Sequence, residues 1–206
     1  MNKILKIGIT GGIGSGKSVV ANLFRLYGIP TYIADNESKR LLDSSPVIRE
    51  KLTRLFGNDL YTPSGIDKKR LAGYIFSDKN MLREVNSIIH PEVRKDFTEW
   101  AERQQGRMCA IESAILFESG FYQTVDIRLM VYAPLEIRVE RASSRDAASR
   151  AETLKRIKNQ LPDEKKKEMS DYTIYNDGKT ALIPQVSRFI QTSFTIFENS
   201  FCSNIP

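Results

Sequence analysis

The sequence has few of the residues that build disulfide frameworks and metal centres. Its 206 residues include two cysteines, Cys109 and Cys202, and one histidine, His90. Two cysteines in a chain of this length indicate free thiols in a reducing compartment. A lone histidine also has no histidine partner for a zinc site, and it offers no triad by itself. No apolar run approaches the roughly 18 residues of a membrane span, and the apolar start is too short for a signal peptide. These absences predict a globular cytoplasmic protein.

Aromatic residues are missing from the most basic part of the chain. The net charge is +6, and the segment from Arg138 to Lys167 carries ten Lys/Arg against five Asp/Glu. No Phe, Tyr or Trp occurs from Ala133 to Asp171, so the platforms on which exposed bases stack are absent. We therefore expect a phosphorylated small-molecule substrate, with no nucleic acid and no membrane as partner. The chain is expected to be a monomer or a weak homo-oligomer.

Short β-rich runs alternate with helical patterns along the chain. Several of the runs are almost continuously apolar, as is typical of strands buried on both faces of a parallel sheet. Alternation of such strands with helices predicts an α/β fold with a five-stranded parallel sheet. The runs are 4–10, 30–34, 108–113, 126–133 and 171–176.

The helical patterns predict an insertion, a basic helical segment and a closing helix. More than 70 residues separate the second and third strands, and they include an amphipathic pattern over 82–100 that Pro91 should split into two helices. This indicates an inserted helical lobe. The basic segment is interpreted as helix, turn, helix, with starts at Pro134 and Pro162. Residues 180–201 predict a closing amphipathic helix.

Residues 11–18, GGIGSGKS, match the pattern G-x-x-x-x-G-K-[ST] between a predicted strand and a predicted helix. In that context successive backbone N–H groups and a helix N-terminus form a nest for the phosphates of a nucleoside triphosphate. Lys17 can follow the β- and γ-phosphates, and the Ser18 hydroxyl can ligate Mg²⁺. The predicted nucleotide-binding residues are Gly11, Gly12, Ile13, Gly14, Ser15, Gly16, Lys17, Ser18 and Val19.

The rest of the chain favours a kinase over a GTPase switch. No Asp has Gly three residues later and no N-K-x-D occurs, so two GTPase signatures are absent. A kinase needs a carboxylate that positions the acceptor hydroxyl, and Asp35 lies at the end of the second predicted strand, where ligands of such sheets bind. There it could orient or deprotonate the attacking hydroxyl, or help to hold Mg²⁺. Asp35 could also cap a helix starting near Asn36.

Arginines of the basic segment could close over the transferred phosphoryl group. Arg141 and Arg145 are four residues apart on one predicted helix face, and Arg150 follows in a turn of small residues. Such a cluster can neutralise the charge that spreads over the phosphoryl group during transfer. Lys165 to Lys167 are interpreted as a solvated face.

Six stretches resemble the dephospho-CoA kinase family, in order and over most of the chain: TGGIGSGKS, GIPTYIAD, FSDKNMLREVNSIIHPEV, ILFESG, RASSRD and IYNDG. The resemblance implies ATP-dependent phosphorylation of the ribose 3′-hydroxyl of dephospho-CoA. It also implies a P-loop three-layer sandwich in a single kinase domain. Its parts would be a core (about 1–34, 106–140 and 169–206), an acceptor-binding helical insertion (about 35–105) and a helical lid (about 141–168).

The resemblance also implies roles for individual residues. Asp35, Lys17 and Arg145 fall at catalytic positions; without the family, His90 and Glu118 would be interpreted as helix-end residues and Asn176 as a turn former. Arg141, Arg150 and Asn176 are expected to contact ATP. The residues expected near the acceptor are Asp35, His90, Pro91 and Glu118.

Three positions depart from the family pattern. Val19 stands where a threonine is frequent, Ile33 replaces the first acid of Asp-Ala-Asp, and Ala114 to Leu116 replace Pro-Leu-Leu. Glu112 ends a predicted strand outside the family pattern. Two other functions stay open from the sequence: a different nucleotide or small-molecule kinase, or a nucleic-acid-binding ATPase.

Overall fold

The structure, a computed structural model, describes residues 4–202, except for the side chains of Ser77 and of residues 198–202. The thiol of Cys202, predicted to be free, lies outside the described residues. One compact unit runs up to Tyr32 and resumes at Gln104, and a second unit spans Ile33–Arg103. The second unit covers nearly the range of the predicted helical insertion, whereas the predicted lid belongs to the first unit.

The strands and helices alternate as the sequence predicts. The strands are β1 (Leu5–Thr10), β2 (Thr31–Ile33), β3 (Tyr61–Thr62), β4 (Gly65–Ile66), β5 (Met108–Glu112), β6 (Ile127–Tyr132) and β7 (Tyr172–Tyr175). The helices are α1 (Lys17–Leu26), α2 (Ala34–Ser44), α3 (Pro46–Phe56), α4 (Lys68–Ser77), α5 (Lys79–Glu102), α6 (Leu135–Asp146), α7 (Arg150–Lys158), α8 (Asp163–Glu168) and α9 (Leu182–Cys202). None of the described helices is long and apolar enough to cross a membrane.

The five predicted strands form one sheet in the order β2-β5-β1-β6-β7. β1 lies at its centre and pairs in parallel with β5 and with β6, and β6 pairs in parallel with β7. The central strands are almost fully buried; Ile7, Ile9, Ile111 and Leu129 have no exposed surface. This burial explains why the strands are apolar at nearly every position. The α/β fold with a five-stranded parallel sheet is confirmed.

The second unit is built around α5. Helices α2, α3 and α4 all contact it, and its buried face consists of Val85, Ile89, Val93, Phe97 and Ala101. The short hairpin of β3 and β4 was not predicted from the sequence, where the same residues gave only a turn signal.

The prediction that Pro91 splits the amphipathic pattern is wrong, because α5 continues through it as a single helix of 24 residues. Proline has no N–H, so the usual bond to the carbonyl four residues earlier is lost, at a cost of about 3 kcal/mol. The buried apolar face that continues on both sides of Pro91 offsets this cost. Tertiary packing therefore overrides the local preference.

The interpretation of the basic segment as helix, turn, helix is also wrong, because it forms three helices. Pro134 and Pro162 do precede helices, α6 and α8. Between them, α6 ends at Asp146, and the capping residue Ala147 has a φ of 49° in the left-handed region. Ser149 and Glu152 then form a capping box that starts α7, a signal that is readable from the sequence as S-x-x-E.

Cys109 in β5 should resist thiol reagents in the native protein. Its side chain is fully buried, and burial raises the pKa of the thiol to about 12, so the reactive thiolate is scarce at neutral pH. In a Cys202→Ser variant, we expect no modification of the native protein by a chromogenic disulfide reagent and one equivalent in denaturant. Rapid labelling without denaturant would contradict the burial of this strand.

Candidate active site

The glycine-rich loop, residues 11–18, connects β1 to α1 as the motif requires. Gly14 and Gly16 have φ values of 80° and 90°, a left-handed conformation that glycine adopts without steric cost. Inside the loop the Ser15 N–H donates to the Gly12 carbonyl over 3.1 Å. Lys17 begins α1, and its ammonium donates to the same carbonyl over 3.2 Å. The loop thus curves back on itself and keeps its lysine against the backbone.

Glycines in this loop also allow other parts of the chain to approach closely. A Cβ atom on Gly11 would lie 2.4 Å from the Val131 carbonyl oxygen, and one on Gly14 would lie 2.1 Å from the Arg138 carbonyl oxygen. Both distances are below any normal carbon–oxygen contact. The loop therefore fits against β6 and the start of α6 only because Gly11 and Gly14 have no side chain.

Asn176 and Arg141 meet at the carboxyl end of β7. The Asn176 side-chain amide donates to the Ser15 carbonyl over 2.8 Å, which fastens the residue after β7 to the glycine-rich loop. Arg141 in α6 donates to the Asn176 carbonyl over 3.0 Å. Two residues predicted from the sequence to contact ATP are thereby connected to the loop.

Arg145 lies in an exposed cluster at the end of α6. Its guanidinium donates twice to Asp146, over 2.7 and 3.1 Å, and Arg156 of α7 donates to the same carboxylate over 2.6 Å. Both arginines lower the pKa of Asp146 well below its ordinary value. Arg156 was not predicted from the sequence. Arg150, which was, lies at the start of α7 and pairs with Glu136 at 2.7 Å.

The interpretation of Lys165 to Lys167 as a solvated face is wrong for Lys166, whose side chain is fully buried. Its ammonium donates to the Ala114 carbonyl over 2.6 Å and pairs with Glu118 at 3.0 Å. Glu118 also accepts from the Leu161 N–H over 2.9 Å. Three consecutive lysines give no sign of this arrangement in the sequence, because only the middle one, Lys166, is buried against the loop after β5.

Arg138 and Asp163 form a buried ion pair that was not predicted from the sequence. The guanidinium and carboxylate are 2.8 Å apart, and their side chains are 6% and 10% exposed. Burial raises the pKa of Asp163, and the positive charges of Arg138, Lys166 and Lys17 offset part of that effect. Next to this pair, the Ile13 N–H donates to the Gln160 side chain over 3.0 Å. No motif signals these contacts, which depend on the path of the chain between α7 and α8.

Asp35, His90 and Pro91 belong to the second unit. Asp35 is exposed in the first turn of α2, and the alternative that it caps a helix starting near Asn36 is wrong, because α2 begins at Ala34 and Ile33 occupies the capping position. His90 and Pro91 lie in the middle of α5. His90 is therefore not at a helix end.

The pKa of His90 should lie below its ordinary value near 6.5, because partial burial and the charge of Arg94 both disfavour the imidazolium. The unfolded chain then binds the proton more tightly. The contribution of this group to stability is complete above the unfolded pKa, and it decreases as the pH falls from that value through the folded pKa. NMR titration of this single histidine checks the shift. A midpoint at or above 6.5 would contradict the burial, and a His90→Gln variant should lack this part of the pH dependence of unfolding.

The remaining candidates lie near the ends of the central strands. Glu112 ends β5 opposite Ile9 of β1, and Ser18 and Val19 are exposed in the first turn of α1. Among the described residues, no group of three or more His, Cys, Asp or Glu could hold a metal ion by itself. A magnesium ion in such a site would take a few protein ligands and complete its shell with phosphate oxygens and water, and the Ser18 hydroxyl fits that donor set.

A parallel α/β sheet whose central strand leads through a G-x-x-x-x-G-K-S loop into a helix defines a P-loop protein. A family model described as dephospho-CoA kinase matches residues 5–181. The chain belongs to the dephospho-CoA kinase family.

Curated relatives agree with this assignment, and solved structures share the fold. Dephospho-CoA kinase from Bacteroides fragilis is 47% identical over 187 residues, covering 90% of this chain and 91% of that protein. The enzyme from Porphyromonas gingivalis is 47% identical over 193 residues, with 92% and 94% covered. A Thermus thermophilus protein matches with a TM-score of 0.77 at 34% identity, covering 93% of this chain and 97% of that one. Shikimate kinase from Acinetobacter baumannii, 16% identical with a TM-score of 0.53 and 94% and 95% covered, shares the fold.

Proposed function

We propose that this protein transfers the γ-phosphoryl group of ATP to the 3′-hydroxyl of the ribose of dephospho-CoA, giving coenzyme A and ADP. The observation that carries the proposal is the loop of residues 11–18, which has the curvature and helix junction of a phosphate nest in a chain of the dephospho-CoA kinase family. The family supplies the acceptor, and the loop supplies the means of holding the donor.

The donor is proposed to lie on the loop, with its phosphates towards the start of α1. Lys17, held against the loop backbone, would pair with the β- and γ-phosphates. The Ser18 hydroxyl would hold Mg²⁺, which neutralises phosphate charge when bound. Arg141 and Asn176, connected at the carboxyl end of β7, are proposed to contact the nucleoside part, and Val19 and Arg150 are assigned to the same donor site.

Asp35 is proposed as the general base. It would accept the proton of the 3′-hydroxyl while that oxygen bonds to the γ-phosphorus and the bond to the bridging oxygen breaks, so that ADP departs and the proton is later released to water. Lys17 and Arg145 would stabilise the negative charge that spreads over the transferred group. His90, Pro91 and Glu118 are proposed to bind the acceptor.

The charge pattern supports a small-molecule substrate rather than nucleic acid. Many cations of the basic segment are already paired with carboxylates of the same unit, as Arg138, Arg145, Arg150 and Arg156 show. Paired cations release fewer counterions on binding a polyanion. We further propose that the protein works in the cytoplasm as a monomer or weak homo-oligomer.

A panel of acceptors tests the proposal. Purified protein is incubated with MgATP and, separately, dephospho-CoA, nucleoside monophosphates, shikimate and gluconate, and products are resolved by mass spectrometry and NMR. We expect turnover of dephospho-CoA, with the new phosphate on the ribose 3′-oxygen. Preferred turnover of another acceptor would assign a different kinase activity, and binding to nucleic acid without any transfer would exclude a kinase.

A further inference from the structure

We propose that Gln160, Arg138 and Asp163 form a brace that positions the glycine-rich loop and so sets its affinity for ATP. The three residues are positioning residues, since they hold the loop and are not assigned contacts with the reacting atoms. The inference rests on the proposed ATP site and deepens it.

Gln160 fixes one backbone N–H in the middle of the loop. Its side-chain oxygen accepts from the Ile13 N–H over 3.0 Å, although the two residues are 147 positions apart in the chain. An amide that donates to a fixed acceptor cannot rotate freely, so the peptide plane between Gly12 and Ile13 is set by this bond. The adjacent turn from Ser15 to Gly12 then starts from a defined orientation.

The Arg138–Asp163 pair contacts the loop at Gly12, and the Arg138 backbone contacts it at Gly14. A Cβ atom on Gly12 would lie 1.7 Å from the Arg138 guanidinium and 2.6 Å from the Asp163 carboxylate. A Cβ atom on Gly14 would lie 2.1 Å from the Arg138 carbonyl oxygen. The brace therefore contacts three consecutive loop positions. It limits the conformations of a segment that its glycines would otherwise leave flexible.

Stability alone does not account for this ion pair. Buried ion pairs often add little to stability relative to apolar residues. This pair also lacks full satisfaction: within the described part of the chain, Arg138 Nε and Nη1 and Asp163 Oδ2 are buried without an aligned hydrogen bond. Such a pair can instead serve to fix the shape of the loop, because pre-organisation of a binding site lowers the entropy cost of binding.

The segment that carries the brace is itself anchored. The Leu161 N–H donates to Glu118 over 2.9 Å, and Lys166 donates to the Ala114 carbonyl over 2.6 Å. These contacts hold residues 160–166 against the loop after β5. A positioning residue must itself be held rigidly, because otherwise it would move together with the loop and would not fix the loop's position.

The first test is the variant Gln160→Leu, which removes the acceptor and keeps a similar size. Calorimetric titration with MgATP should show a dissociation constant raised about five- to tenfold, the usual effect of one hydrogen bond. The KM for dephospho-CoA and the kcat at saturating ATP should stay unchanged. Gln123→Leu, the same change at an exposed position, is the matched control and should bind ATP as the wild type does.

The second test separates positioning from stability. Asp163→Asn alone leaves Arg138 buried without its counter-charge and should lower the Tm. Adding Arg138→Met removes that charge and should restore much of the Tm, while the affinity for ATP stays reduced at least fivefold because the ion pair no longer holds the loop at Gly12. If the pair only stabilised the fold, the double variant would recover both the Tm and the affinity for ATP.

The outcomes distinguish the brace from the proposed function. If the wild type does not bind MgATP, the proposed function fails and the brace with it. If the wild type binds MgATP, and Gln160→Leu and the double variant bind it as tightly as the wild type does, only the proposal of the brace is overturned. Should Gln160→Leu fail to fold, the affinity of the double variant decides.

Discussion

Replacing Asp35 by asparagine should lower turnover of dephospho-CoA by about 10²- to 10⁴-fold, the range that a general base contributes. Asparagine keeps the size of the side chain but cannot accept the hydroxyl proton. Binding of MgATP should stay close to that of the wild type, because the residues proposed to bind phosphate all lie in the other unit. Steady-state kinetics together with calorimetric titration measure the two effects separately.

The control for this experiment is Asp59→Asn in the same unit. The Asp59 side chain is 87% exposed and has no proposed role, so its neutralisation should leave turnover unchanged. Normal turnover in Asp35→Asn would remove Asp35 from the mechanism. A parallel loss of ATP affinity would instead mean that the carboxylate acts on the donor.

Replacing Gly14 by alanine should weaken ATP binding by at least tenfold. The backbone at Gly14 has a φ of 80°, which costs an alanine about 1–2 kcal/mol. In addition, the new Cβ would lie 2.1 Å from a backbone oxygen of α6, which cannot rotate away as a side chain can. The loop or the helix must therefore shift, and the phosphate nest changes shape. Titration with MgATP and thermal unfolding check the two consequences.

Gly28→Ala is a matched control for this variant. Gly28 has a similar φ of 75°, but nothing lies within 4 Å of its added Cβ. Its alanine variant should lose about 1–2 kcal/mol of stability, a Tm decrease of roughly 2–8 °C, with ATP affinity unchanged. Equal ATP affinity in the two variants would show that the close approach of α6 does not control the loop.

The sheet was predictable because its strands are uniformly apolar and bounded by polar turns. Every end of the five predicted strands lies within one residue of the observed end. The phosphate loop was predictable for a related reason: its function requires particular residue types at fixed spacing. Local chemistry determines both features, so they can be identified without knowledge of tertiary contacts.

Predictions failed where tertiary contacts override a local preference. Pro91 favours a break, yet α5 continues because its apolar face is buried on both sides. Lys166 belongs to a run of three lysines, and it differs from the other two in its contacts with the Ala114 carbonyl and with Glu118. The contacts of Gln160 and Arg138 join residues far apart in the chain, and a single sequence contains no local signal for them.

The most direct measurement is a crystal structure with a non-hydrolysable ATP analogue, Mg²⁺ and dephospho-CoA. We expect the analogue's phosphates to accept hydrogen bonds from backbone N–H groups of the loop between Gly11 and Ser18, and the ribose 3′-hydroxyl to donate to the Asp35 carboxylate. Phosphates bound elsewhere, or an Asp35 carboxylate facing away from the acceptor ribose, would contradict this expectation.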